Sequence, residues 1–185
     1  MKREIELWDH AGTILKALEK GALLTTRSNG ETNTMTISWG AIGIEWGAPI
    51  FTAYIRENRH TKKLLDENPA FTVNIPLDSA HRKALGFCGT KSGRDIDKIS
   101  ACGLTPIEPS VVDVPAIQEF PLTLECKVVY KQAQDPQAVS EKNAEKFYPQ
   151  DVASKYHGAN RDYHTAYYGE IVSAYIIEDD EESHS

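Results

Sequence analysis

The sequence predicts a mainly β protein with some helix: an antiparallel, barrel-like sheet crossed by short helices. Three observations carry that prediction. Apolar or alternating runs of strand length recur at Ala22 to Arg27, Thr34 to Ile44, Ile50 to Ile55, Phe71 to Ile75, Pro121 to Lys131 and Tyr167 to Ile177. Turn residues rather than helices join the early ones, at Ser28-Asn29-Gly30 and Trp46-Gly47-Ala48-Pro49. A parallel sheet needs a crossing helix between nearly every strand pair, and no Gly-x-Gly-x-x-Gly follows a strand here.

Taken in order, Asp9 can cap a first helix whose apolar positions Ile14, Leu15 and Leu18 share a face, with Gly21 as its stop. Ala22 to Arg27 and Thr34 to Ile44 read as a hairpin, and Ile50 to Ile55 as an apolar strand beyond the next turn. Thr61 to Glu67 reads as a short helix ended by Asn68-Pro69, before the strand at Phe71 to Ile75. Ser79 can cap a helix reaching Leu85, and Gly86 to Arg94 reads as a glycine-rich loop. A further short helix runs from Asp95 to Ala101, stopped by Gly103, and Leu104 to Phe120, with three prolines, reads as an irregular excursion. In the strand from Pro121 to Lys131, alternation puts Leu122, Leu124, Cys126, Val128 and Tyr130 on one face. The polar stretch 135–157 suits a partly helical insertion or lid, and Tyr167 to Ile177 the last strand.

The totals bound the function. A chain of 185 residues suits one domain, here 1–177, with 178–185 as an acidic, disordered tail. The net charge of −7 argues against a nucleic-acid partner, which needs a basic face. No run has the length of a membrane span, and Met1-Lys2-Arg3 leads into polar residues rather than a secretory signal. Cys88, Cys102 and Cys126 are odd in number and lack metal or redox spacing, so reduced thiols in a cytoplasmic protein are the economical expectation. No metal site is expected.

Four stretches can carry chemistry. In Asn33 to Gly40, extended geometry puts Thr34, Thr36 and Ser38 on one face and Met35, Ile37 and Trp39 on the other. Buried hydroxyls need partners, so that face meets either solvent or a polar ligand. Arg56-Glu57-Asn58-Arg59-His60-Thr61 is a cationic approach to a helix start, where free N–H groups attract anions. This is a place to look for a phosphate-bearing cofactor, although a plain capped surface helix carries the same residues. Cys88-Gly89-Thr90-Lys91-Ser92-Gly93-Arg94-Asp95 offers close backbone approach and a cation, without nucleotide P-loop spacing. It equally suits an ordinary capped loop. Asn160 to Glu170 contains His164, which can donate a proton or meet a dinucleotide, or be a hydrogen-bonded structural residue.

Together these stretches resemble the flavin reductase-like proteins, with the FMN-binding split-barrel fold, close to the flavoredoxin branch. The resemblance runs from about Gly21 to Ile177, and Asp162-Tyr163-His164 departs from the Gly-Asp-His form common in the wider family. It implies a homodimer holding FMN near the subunit interface. Thr34, Met35, Thr36, Ile37, Ser38 and Trp39 would then lie along the isoalloxazine ring. Arg56, Asn58, Arg59, His60 and Thr61 would hold the phosphate, and Cys88, Gly89, Thr90, Lys91 and Ser92 would close over the cofactor, with Lys91 near the ring. His164 would stand at the hydride-donor site. The implied activity is electron transfer from NADH or NADPH through FMN to free flavin, ferric iron or a partner. The alternatives are a flavoredoxin-type carrier served by a redox protein, with no nicotinamide site of its own, and a non-redox binding scaffold.

Overall fold

A computed structural model describes residues 1–152 and 161–178, so Asn160, residues 153–157 of the expected lid and the tail from 179 lie outside the described residues. β1 (Lys2–Glu4) leads into α1 (Leu7–Leu18), and Gly21, at a φ of 111°, turns the chain into β2 (Ala22–Ser28). Asn29 and Gly30, both left-handed at φ 50° and 79°, form the two-residue turn to β3 (Glu31–Ile37). Ser38 and Trp39 separate β3 from β4 (Gly40–Glu45). Trp46 and Gly47 then repeat the left-handed turn into β5 (Ala48–Arg56). There follow α2 (His60–Glu67), β6 (Ala70–Ile75), α3 (Arg82–Thr90), α4 (Lys98–Ala101), the short pair β7 (Pro106–Ile107) and β8 (Ala116–Ile117), β9 (Leu122–Ala133), α5 (Glu141–Phe147) and β10 (His164–Ile177).

The main sheet has the order β3-β2-β6-β9-β10-β5-β4, with β1 also paired to β10 and every pairing antiparallel. Laid flat, seven strands would put β3 and β4 roughly 29 Å apart. Three residue steps from Ile37 to Gly40 reach only about 11 Å. The sheet therefore curls until its two ends meet at Ser38 and Trp39, and this seam is where the barrel is split.

Inside the barrel lie Leu24, Met35, Ile37, Phe51, Ala53, Ile55, Phe71, Val73, Leu124 and Tyr167, with Ile14 and Leu18 of α1 plugging one side. A second apolar cluster, Leu23, Leu85, Cys88, Ile99, Ile117 and Phe120, fastens α3, α4 and the 104–120 excursion to the outside of β2. Between the two runs a row of buried polar groups. Thr25 Oγ1 donates to Thr34 Oγ1 at 3.1 Å, and Asn74 Nδ2 donates to Thr25 and Thr72 at 3.1 Å each. Ile117 N donates to Asn74 Oδ1 at 3.0 Å. The excursion is anchored by Glu125, which is fully buried and accepts from the N–H groups of Ser110, Val111 and Val112 and from the Tyr175 hydroxyl.

Several expectations are corrected. Thr34 to Ile44 is not one strand: it breaks at the seam, and its halves lie at opposite ends of the sheet order. The cap of α1 is Glu6, with Asp9 inside the first turn, where its charge still suits the helix dipole. The helix after Ser79 starts at Arg82 and continues to Thr90, so half of the expected glycine loop is helical. Gly89 lies against β3, where a Cβ would stand 3.4 Å from Thr36 Cβ. In α4, Asp97 rather than Asp95 is the cap, accepting from the N–H groups of Ile99 and Ser100. Tyr130 leaves the face it was assigned, because the register skips Val129 between Tyr168↔Tyr130 and Gly169↔Val128. The bulge turns the Tyr130 ring outward against Tyr168 and Trp46.

Candidate functional site

The seam opens into a cleft of about 190 Å³ lined by Met35, Thr36, Ile37, Ser38, Trp39, Tyr54, Arg56, Arg59 and His164. Strand alternation places these groups. Tyr54 and Arg56 alternate with the core residues Ala53 and Ile55 on β5, so they point outward, and His164 sits directly across from Arg56 in the β10 register. Met35 and Ile37 have their side chains in the barrel core, so what they offer the cleft is backbone. Thr36 commits its hydroxyl to the Leu85 carbonyl at 2.6 Å, and Ser38 is exposed. Thr34 is buried, its hydroxyl bonded to Thr25 and to the Leu24 carbonyl, and is not among the cleft-lining residues.

The aromatic wall is held in place. The Trp39 indole meets Phe147 edge-on at 5.2 Å and leans on His164 at 5.0 Å. Gln134 Oε1 accepts from the Tyr148 hydroxyl at 2.9 Å and from the His164 backbone N–H at 3.0 Å. Since a hydroxyl has one proton, the 2.8 Å contact between Tyr148 and His164 Nδ1 requires Nδ1 to carry the hydrogen, which leaves the lone pair on Nε2. Burial pushes the His164 imidazole down to about 4, and the charges of Arg56 and Arg59 push the same way. His164 is therefore neutral at pH 7 and does not act there as an imidazolium proton donor.

Two guanidiniums supply the positive end. Arg56 donates to the carbonyls of Asp162 at 2.7 Å and Phe147 at 3.0 Å and lies over the Tyr148 ring, which clamps α5 against the cleft mouth. Arg59 donates to the Gly89 carbonyl at 2.9 Å, in the last turn of α3. The other residues expected at the phosphate, Asn58, His60 and Thr61, are not among the cleft-lining residues. Asn58 N–H donates to the Asp162 carboxylate at 2.8 Å, so a side chain of the chain itself already caps the approach to α2. Thr61 Oγ1 accepts from Asn33 Nδ2 at 2.7 Å, and His60 Nε2 pairs with Glu31 at 2.5 Å, its Nδ1 buried without a partner among the described residues. Gly93 packs on both: a Cβ there would lie 2.2 Å from Asn33 Oδ1 and 3.0 Å from His60 Cδ2.

Of the 88–92 stretch, Gly89 alone touches cleft residues, through Arg59 and Thr36. Cys88 points into the second apolar cluster, where burial pushes its thiol up to about 12. Thr90 bonds back to the Gly86 carbonyl, while Lys91 is exposed and Ser92 half-buried. Sequence reasoning missed Tyr54, Gln134, Tyr148 and Lys98. Lys98 is only 3% exposed beneath the α3 C-terminus, near the Cys88 and Lys91 carbonyls, and burial pushes its amine down to about 8. The outward phase of Tyr54 on its strand was the one available signal.

The cleft is a fair fit to a group that is anionic at one end and flat at the other. It carries two guanidiniums and no carboxylate, between aromatic side chains. No described group of His, Cys, Asp and Glu could hold a metal ion, and no described helix is long and apolar enough to cross a membrane.

Comparison with known proteins agrees with this geometry. Residues 20–184 match the family described as flavin reductase like domain. The fold is similar to flavoredoxin of Desulfovibrio vulgaris (Miyazaki F), with a TM-score of 0.63 and 24% identity over 85% of this chain and 69% of that one. It is similar to flavoredoxin from Methanosarcina acetivorans, with a TM-score of 0.62 and 24% identity over 85% and 68%. Nitrilotriacetate monooxygenase component B from Bacillus cereus gives a TM-score of 0.64 and 18% identity over 95% and 79%. An uncharacterized protein from Archaeoglobus fulgidus is 32% identical over 97 residues, 52% of this chain and 54% of that protein. The match thus spans about half the length of that curated relative. The structural likenesses establish the split-barrel fold.

Proposed function

The chain belongs to the flavin reductase-like family, and from that premise we propose that it is an FMN-dependent oxidoreductase moving electrons from NADH or NADPH to free flavin, ferric iron or a protein partner. The observation that carries this reading is the seam cleft, lined by Arg56 and Arg59 and by the Trp39, Tyr54 and His164 rings, with no carboxylate in the lining. When bound, FMN supplies the hydride and electron chemistry. The chain's own residues bind and orient. Arg56 and Arg59 would hold the phosphate, and fixed guanidiniums suit that task better than a mobile ammonium. The backbone of residues 35–38 and the Ser38 hydroxyl would meet the ring's polar edge. Neutral His164 closes the wall without adding a third charge, and the docked α5 limits water at the mouth.

A homodimer, a cytoplasmic setting and a redox-protein partner belong to the same reading. Purified protein that retains FMN and turns over NADH or NADPH is the expected result. Colourless protein that fails to bind added FMN would refute the reading. Slow reduction by both nucleotides alongside fast reduction by a redox protein would identify an electron carrier instead.

A further inference from the structure

Where α3 and α4 meet outside the barrel, three reactive side chains come together that the flavin reading does not use: Cys88, Lys98 and Cys102. Lys98 and Cys102 are four residues apart, and the Cys102 N–H donates to the Lys98 carbonyl at 3.1 Å, so both side chains leave the same face of α4. That face meets α3. The Lys98 amine reaches the Cys88 carbonyl at 3.4 Å and the Lys91 carbonyl at 3.5 Å, and Cys102 packs on the apolar cluster that contains Cys88. The two thiols share a hydrogen bond. Cys126, the third thiol, lies apart from them in the barrel core.

The paired thiols differ in access. Cys88 is fully buried, and burial pushes its thiol up to about 12, whereas Cys102 is half-buried at the end of α4. An oxidant arriving from solvent therefore meets Cys102 first. Burial lowers the Lys98 amine to about 8, which leaves it mostly an ammonium at pH 7. A cation beside the two sulfurs favours the thiolate, the form that attacks.

We propose that Cys88 and Cys102 form a peroxide-sensitive thiol pair whose disulfide loosens the arginine at the neighbouring cleft. The Cys102 sulfur attacks one oxygen of hydrogen peroxide, the O–O bond breaks, and water leaves a sulfenic acid behind. The Cys88 sulfur then attacks the Cys102 sulfur, and its proton departs with the displaced hydroxide as a second water. The two thiols have given up two electrons, and the peroxide has taken them. The S–S bond of about 2.05 Å is far shorter than a hydrogen-bond contact between sulfurs, so closing it shifts the last turn of α3. That turn carries Gly89, whose carbonyl accepts from Arg59 at 2.9 Å and whose backbone rests on Thr36. Only this consequence rests on the FMN reading; the thiol pair stands apart from it.

Peptide mapping of the reduced full chain after graded hydrogen peroxide tests the pair. A Cys88–Cys102 linkage is expected, with Cys126 still a free thiol and the linkage reversed by dithiothreitol. Cys88→Ser should leave Cys102 as a sulfenic acid that dimedone captures. Peroxide that carries Cys102 on to the sulfinic acid in the wild type, links it to a second chain or leaves it untouched overturns the pair. A bridged protein should bind FMN about two- to tenfold more weakly, the cost of ordering an arginine no longer held by Gly89. Peroxide-treated Cys102→Ser should keep its FMN affinity; should that variant fail to fold, recovery of affinity in the bridged wild type on dithiothreitol replaces it. Equal FMN affinity of the bridged and reduced wild type overturns the link to the cleft. If neither form holds FMN, the oxidoreductase reading falls, and the peptide map alone upholds or overturns the pair.

Discussion

Replacing Arg59 with alanine separates a phosphate site from a merely structural cation. Arg59 is half-buried, lines the cleft and, among the described residues, donates to the Gly89 carbonyl at 2.9 Å. Losing that bond costs the apo-protein about 1 kcal/mol, or a fall in Tm of about 2–4 °C at this chain length. Losing a guanidinium to a phosphate removes a charge-assisted bond of about 1.5–3 kcal/mol, which is roughly 10- to 150-fold in Kd. The assay is quenching of flavin fluorescence on titration of apo-protein, with FMN and with riboflavin. Riboflavin lacks the phosphate, so its affinity should hold within about twofold while FMN weakens by the full factor. The FMN loss should also shrink at high salt. Equal weakening of both flavins, or of neither, would show that Arg59 does not meet the phosphate.

Glu125→Gln places an amide N–H₂ against backbone donors and should cost about 3–5 kcal/mol in chemical unfolding. Burial raises the Glu125 carboxyl, but hydrogen bonds from Ser110, Val112, Val111 and Tyr175 outweigh it and hold the group below its ordinary range. Its stabilisation is present above the unfolded value of about 4.3 and is lost as pH falls through the folded one, so the variant should lack that acid-side slope. Gly93→Ala drives a methyl into Asn33 and His60; about 1–3 kcal/mol of destabilisation is expected, and an unchanged Tm would mean that the 91–95 loop moves freely away. His164, held at about 4, should remain neutral at pH 6 by NMR titration. Because an unfolded histidine takes up its proton first, wild-type stability should fall by up to about 3 kcal/mol between pH about 6.5 and 4, a component that His164→Gln should lack.

The strands were legible because half-buried β-structure writes its period into the sequence, and both hairpin turns announced themselves through Asn29-Gly30 and Trp46-Gly47. What misled were residues whose roles depend on distant partners. Gly86 and Gly89 read as loop, yet α3 runs through them and lies against β3 at Thr36. Skipping one residue at Val129 reversed the face of Tyr130, and a bulge of that kind leaves no mark in alternation. Of the cleft-lining residues, Arg56, Arg59, Ser38, Trp39 and His164 were named from local chemistry. Gln134 and Tyr148 were not, because their bonds are to His164, 30 and 16 residues further along.

Two of the three hydroxyls on the face that first suggested a ligand, those of Thr34 and Thr36, turned out to be taken by partners within the chain, and that bears on where affinity must come from. Thr34 is satisfied by Thr25 and Leu24, Thr36 by Leu85, and the approach to α2 by Asp162. A bound anion therefore gains little from the hydroxyls of Thr34 and Thr36. The cations lining the cleft are two guanidiniums, one tied to α5 through Phe147 and the other to α3 through Gly89. Each arginine thus joins the cleft to a helix that packs beside it, so filling the cleft and ordering those helices are one equilibrium. Flavin binding should on this argument protect the amides of α3 and α5 from hydrogen exchange while leaving the strands on the far side of the barrel, β6 and β9, unchanged.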